Sequence, residues 1–226
     1  MKGPPPVTLF AGGRGHSSGR ALADLMASSR KSGPSVAYVG AASGDSAPFR
    51  WMMTRLLKAA GAGPVVLVPL AGTAFRAVEA EKVLSSGDFV YFSGGDVAAG
   101  MALLEARGLV SFLGRLHRQG KPFFGHSAGS ILLAREWIRW RDSEDAASAE
   151  RFPCLGLAPI LCDTHGEEDG WEELEALLRL EPEGAVGYGL RSGSAVSVTP
   201  DGGVEILEGR VDRFVGTPSG IRSLGG

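Results

Sequence analysis

The segment Gly125-His126-Ser127-Ala128-Gly129 follows the apolar run Pro122 to Phe124 and precedes residues with helical spacing. This is the frame strand, G-x-S-x-G, helix, in which a serine is carried on a sharp turn. Larger side chains at Gly125 and Gly129 would collide with neighbouring elements. The turn pushes Ser127 out at the carboxyl end of a strand, with the following helix aiming its N-terminus at any developing negative charge. Such a serine is a candidate nucleophile, and it needs a base and a group to orient that base. Of the four histidines, His16 lies in an early glycine-rich loop, His117 is expected on the polar end of a helix, and His126 is expected to point away from the nucleophile. His165 follows the apolar run Leu155 to Cys162, just beyond an expected strand end, and is the best base. Asp142, Glu144 and Asp145 are the candidate orienting acids, with Asp163 as a local rival. Backbone N–H groups for an oxyanion are expected from Ala128, directly after the nucleophile, and from Gly95 in Phe92-Ser93-Gly94-Gly95-Asp96, where a glycine lets the backbone come close.

The elements that must position these groups are legible as alternating runs. Val7 to Phe10, Val36 to Val39, Val65 to Val68, Phe89 to Phe92 and Pro122 to Phe124 read as buried strands bounded by glycine or proline. Between them Arg20 to Ser29, Phe49 to Ala60, Phe75 to Leu84 and Val97 to Arg118 have helical spacing. Strands alternating with helices predict a doubly wound, mostly parallel α/β sheet. After Ser127 a helix is expected from Ser130 to about Ile138, then a polar stretch to Arg151, an apolar run Leu155 to Cys162, and an acidic helix Trp171 to Leu180. Ala185 to Leu190 reads as a further strand, and Ala195 to Thr199 with Val204 to Leu207 as a C-terminal antiparallel hairpin turned by Pro200-Asp201-Gly202-Gly203.

Composition narrows the function classes. The 226 residues, 44% hydrophobic and 21% charged, suit one α/β domain spanning 1–226. A net charge of −2 offers no field for nucleic acid or anionic membrane, and neither is expected as a partner. Cys154 and Cys162 form no C-x-x-C pair and read as small buried hydrophobes rather than a disulfide or zinc site. Met1 to Pro6 leads into a short apolar run without the longer apolar region of a signal peptide, so a cytoplasmic location is expected. Gly13-Arg14-Gly15-His16-Ser17-Ser18 approximates the dinucleotide fingerprint but ends in serine, and no acidic residue closes the second strand, so no nucleotide cofactor is predicted. The run Glu167, Glu168, Asp169, Glu172, Glu173 reads as the wet, negative first turn of a helix, and no metal is predicted.

Together these segments resemble the dipeptidase E and cyanophycinase family of serine peptidases over nearly the whole chain. The resemblance is carried by Phe92 to Asp96, by Gly125 to Gly129, and by Leu155-Gly156-Leu157-Ala158-Pro159 followed six residues later by His165. It implies a class I glutamine amidotransferase-like, flavodoxin-like sheet and a triad of Ser127, His165 and an aspartate. The dipeptidase spacing of fifteen residues after the serine lands on Asp142, which is favoured, and the cyanophycinase-like spacing lands on Asp145. It also implies Gly95 and Ala128 as the oxyanion hole, and Gly94, Asp96, Glu168 and Asp169 beside the substrate. Two departures stand out. Aspartyl dipeptidases carry an arginine in the helix after the histidine, whereas Gly166 to Glu173 holds no basic residue, so a neutral or basic residue is predicted where they take aspartate. Leu190 to Ala195 lacks the acidic residue that relatives often place before the glycine. The expected partner is a small peptide, acting on a monomer or homodimer. An esterase-type hydrolase and a silent amidotransferase-like binding module are the alternatives, the serine at 127 in place of a cysteine arguing against amide transfer from glutamine.

Overall fold

The computed structural model describes residues 3–13, 18–73, 75–142 and 145–225. Its first half alternates β1 (Val7–Phe10), α1 (Gly19–Ser28), β2 (Val36–Val39), α2 (Ala47–Ala59), β3 (Val65–Leu67), α3 (Ala77–Ser86), β4 (Phe89–Phe92), α4 (Val97–Ala106), α5 (Val110–Arg118), β5 (Phe123–His126) and α6 (Ala128–Leu133). The second half runs β6 (Glu136–Trp140), β7 (Ala149–Pro153), β8 (Leu161–Thr164), α7 (Glu172–Arg179), β9 (Val186–Leu190), β10 (Ala195–Val198), β11 (Val204–Glu208), β12 (Val211–Thr217) and β13 (Gly220–Gly225).

The central sheet has the order β11-β10-β1-β5-β4-β2-β3, with β1, β5, β4, β2 and β3 parallel. β1, β2, β4 and β5 are buried throughout, as strands covered on both faces must be. Their side chains divide by alternation. Phe10, Tyr38, Tyr91 and Phe124 pack on one face with Leu22 and Met26 of α1 and Met53 and Leu57 of α2. Leu9, Val39, Val90 and Phe123 pack on the other with Leu84 of α3, Leu104 of α4 and Leu113 of α5. This is the doubly wound α/β fold expected, and the β10–β11 hairpin adds its antiparallel edge.

Three local expectations are corrected. The run Val97 to Arg118 is two helices meeting at 92°. Gly108 (φ 67°) ends α4: its N–H donates to the Glu105 carbonyl and that of Leu109 to the Leu104 carbonyl, the pairing that closes a helix on a left-handed glycine. Second, α6 stops at Leu133, because Ala134 is extended (ψ −177°), and the residues expected to continue it form β6, paired with β7 through Trp137 and Phe152. Third, of Leu155 to Cys162 only the end is strand. β8 begins at Leu161 and joins a second sheet, β13-β12-β9-β8, in which β8 and β9 are parallel. Cys154 and Cys162 are buried free thiols, as expected. Burial, with Glu136 nearby, pushes Cys154 up to about 12, and burial raises Cys162 as well. Among the described residues no single helix is long and apolar enough to cross a membrane.

Candidate active site

Ser127 sits between the end of β5 and the start of α6 with φ 54° and ψ −129°, a conformation that L side chains rarely adopt. Its N–H donates to the Phe10 carbonyl at 2.9 Å, which ties the turn to β1. The turn exists because its flanks are glycines. A Cβ on Gly125 would strike the Gly129 carbonyl, and one on Gly129 would strike the Phe92 carbonyl of β4. Gly94 closes on the serine from the β4 side, where a Cβ would lie 3.2 Å from the Ser127 Cβ. The Ser127 side chain makes no capping bond to α6, so its hydroxyl is directed outward.

It meets His165. The chain leaves β8 at His165 with φ 49°, and its N–H donates to the Leu190 carbonyl of β9 at 2.8 Å. The imidazole Nε2 then lies 2.7 Å from Ser127 Oγ. Two residues 38 apart in sequence, at strand ends of different sheets, are thus joined by a hydrogen bond with the geometry that a nucleophile and its base require. The N–H groups of Gly95 and Ala128 have no backbone carbonyl partner among the described residues. Gly95 reaches its position with φ 143°, where a Cβ would strike the Ala42 carbonyl.

Two cavities flank Ser127, and Ser127 and Gly95 line both. The first, of about 700 Å³, lies over the α1 and α2 face and is lined by Leu22, Phe49, Met52, Met53, Leu56 and His126, with Gly12, Gly94 and a few serines. The second, of about 440 Å³, holds His165, Ala128, Trp137, Trp140, Arg139, Asp96, Asp163 and Glu173. His126 stacks on Phe10, ring centroids 4.5 Å apart, and burial pushes it down to about 3, so it is neutral. Its Nδ1 has no hydrogen-bond partner. Asp163 is held up at about 7, first by burial and then by Glu173, Asp169 and Glu167, although the Thr164 N–H it accepts works in the opposite sense.

Of the acids anticipated for the base, Asp142 stands two residues past β6, whose Trp137 and Trp140 line the second cavity with His165. Its N–H donates to Ser148 Oγ at 3.0 Å and its carbonyl accepts the Ser148 hydroxyl at 2.8 Å. The Asp145 carboxylate accepts the Ala147 N–H at 2.8 Å. Glu144 lies outside the described residues, as do Arg14 to Ser17 of the early glycine-rich loop with His16. His117 lies in the basic last turn of α5 with Arg115 and Arg118, as expected, but its side chain is buried and donates from Nε2 to the Pro5 carbonyl at 2.8 Å. Gly94 lines the first cavity and Asp96 the second, where Asp96 also accepts the Ala99 N–H at 2.8 Å as the cap of α4. Glu168 and Asp169 line neither. Asp169 accepts the Trp171 N–H in the turn before α7. Glu167, which sequence reasoning gave no separate role, accepts the Ser192 N–H at 2.9 Å. Burial raises its pKa, but the Ser192 hydrogen bonds and the nearby His165 bring it below the ordinary carboxylate value.

Sequence reasoning missed Ser130. Its fully buried hydroxyl accepts the Phe10 N–H at 3.1 Å and lies 2.9 and 2.8 Å from the Phe10 and Gly125 carbonyls, to one of which it donates. The only sequence signal was a serine in an apolar run. It also missed the first cavity, whose lining reads as an ordinary amphipathic face of α2.

Comparison with known proteins bears on the family and the fold. The sequence profile of Peptidase family S51 matches residues 7–206. Curated relatives include the pyridoxal 5'-phosphate synthase subunits PdxT of Geobacillus thermodenitrificans, 29% identical over 168 residues covering 74% of each chain, and of Anoxybacillus flavithermus, 29% identical over 149 residues covering 64% of this chain and 71% of that one. Among solved structures, a peptidase from an acI-B1 Actinobacterium superposes with a TM-score of 0.70 at 16% identity, covering 99% of this chain and 95% of the other. A putative peptidase E from Listeria monocytogenes EGD-e superposes at 0.66 and 16% identity, covering 92% and 100%.

Proposed function

The chain belongs to peptidase family S51, and on that premise we propose that it is a serine peptidase that hydrolyses dipeptides or short peptides through Ser127, His165 and Asp142. The observation that carries the reading is the 2.7 Å approach of Ser127 Oγ to His165 Nε2 at the end of a strained, glycine-flanked turn. A serine hydroxyl is a weak nucleophile, and a base at this distance accepts its proton as the oxygen attacks the scissile carbonyl. Acceptance at Nε2 requires the resting proton on Nδ1, and Asp142 is assigned to hold that tautomer and to stabilise the imidazolium that follows. The N–H groups of Gly95 and Ala128 are assigned to the oxyanion, where each donor contributes about 10²- to 10³-fold. His165 then returns its proton to the leaving amine, and water repeats the cycle on the acyl-serine.

A fluorophosphonate tests the reading directly. It is expected to add once to the wild-type chain, at Ser127, and not to Ser127→Ala, while turnover of a dipeptide panel falls by at least about 10⁴-fold in Ser127→Ala and His165→Ala. An unlabelled wild-type protein would refute it, and cleavage of p-nitrophenyl esters without any peptide would favour an esterase.

A further inference from the structure

The two cavities beside Ser127 differ in chemistry, and only one contains the base. In acyl transfer from a serine the protonated base must reach the leaving atom, so the leaving group lies on the side of the imidazole. His165 lines only the second cavity, with Trp137 and Trp140 of the β6–β7 hairpin. The acyl half of the substrate therefore extends the other way, into the first. Among the described residues no side chain lining that cavity carries a charge. Leu22 and Met53 are buried and Met52 is half exposed at its mouth. At about 700 Å³ it is as roomy as a small-molecule site and has space for a large side chain. The second cavity holds Asp96, Asp163 and Glu173 against one cation, Arg139. Polarity thus divides at the nucleophile.

We infer that the first cavity is the specificity pocket for the residue that supplies the scissile carbonyl, and that it selects a large apolar side chain such as phenylalanine, leucine or methionine. This rests on Ser127 acting as the nucleophile. An acidic side chain would lose its hydration among Leu22, Phe49, Met52, Met53 and Leu56 without gaining a cation from any described residue that lines the cavity. The His126 ring that also lines the cavity is neutral and brings no charge to it. Met52 and Met53 are unbranched and polarisable, so the wall adapts to aromatic or branched occupants. The acidic residues that line a cavity beside Ser127, namely Asp96, Asp163 and Glu173, all fall on the leaving-group side.

Amino-acid phosphonate diphenyl esters probe the acyl side alone, because the side chain sits on the carbon next to phosphorus and the leaving group is always phenoxide. Ser127 Oγ forms the P–O bond, phenoxide departs, and His165 hands it the serine proton. With the wild-type chain, labelling rates read by intact mass are expected to favour the phenylalanine and leucine analogues over the lysine and glutamate analogues by about tenfold or more. Met52→Glu, at a half-exposed position, is expected to raise the lysine-to-phenylalanine ratio by about tenfold, a gain that unfolding cannot produce. Rates equal within about twofold, a preference for either charged analogue, or a ratio unmoved by Met52→Glu would overturn the pocket assignment. If a small fluorophosphonate still labels Ser127 in that case, the serine mechanism stands. If it does not, both readings fall. Efficient turnover of p-nitrophenyl octanoate without cleavage of Phe-Ala would give the cavity to a fatty acyl group and overturn the peptide side chain as its occupant.

Discussion

Replacing Asp163 with asparagine removes a carboxyl that β8 holds 4% exposed beside the acidic residues of the following turn and α7. In the folded chain, burial first, then Glu173, Asp169 and Glu167, keep this group protonated up to about 7, whereas an unfolded aspartate releases its proton near 3.8. Between those values the folded state binds more protons than the unfolded state, so stability falls as pH rises. The gap corresponds to about 4 kcal/mol at ~1.4 kcal/mol per pH unit, incurred in full above about pH 7 and absent below about pH 4. Asparagine keeps the shape and an acceptor for the Thr164 N–H without the titration. Asp163→Asn is therefore expected to match the wild type at pH 4 and to exceed it by about 2–4 kcal/mol at pH 8. The difference should open progressively between pH 4 and 7. Urea unfolding at half-unit pH steps measures this directly. Parallel stability curves across the range, or an advantage at pH 4 that disappears at pH 8, would refute the reasoning.

Two further outcomes follow from the site. Ser130→Ala leaves the buried Phe10 N–H without its hydroxyl partner and is expected to cost about 1–3 kcal/mol. That appears in a thermal melt as a loss of about 2–4 °C per kcal/mol for a chain of this length. Asp142→Asn is expected to lower kcat by about 10³- to 10⁴-fold with KM little changed, while Asp145→Asn stays within about threefold of wild type, and the reverse pattern would transfer the orienting role to Asp145.

The parallel strands were legible because burial on both faces forces continuous apolar runs, and Val7–Phe10, Val36–Val39 and Phe89–Phe92 form at the expected residues. Ser127 was legible for a steric reason confined to five residues, since only glycines at 125 and 129 permit that turn. His165 was legible as the residue after a strand, although β8 proved shorter than the apolar run before it. Where pairing is distant, the sequence misled. Glu136 to Trp140 continues an apolar stretch that looks helical, and only Ala149–Pro153 across the hairpin makes it a strand. Gly108 is an ordinary mid-helix glycine until the next helix turns away at 92°. The first cavity was illegible in principle. Phe49, Met53 and Leu56 have the spacing of any core-facing stripe, and that the stripe faces open space beside Ser127 is decided by how α2 lies on the sheet.

Ser127 rides on the seven-stranded sheet and His165 on the four-stranded one, so their hydrogen bond crosses a seam inside a single chain. The chain crosses that seam between β9 and β10, and there the Ala11 N–H donates to the Ser194 carbonyl at 2.9 Å and the Gly193 N–H to the Gly12 carbonyl at 2.8 Å, which extends the β1–β10 pairing beside Ser127. On the proposed mechanism, competence is thus a property of alignment between two slabs, comparable to a site shared by two subunits. A shift of one sheet against the other would part Ser127 from His165 while each sheet kept its own hydrogen bonds.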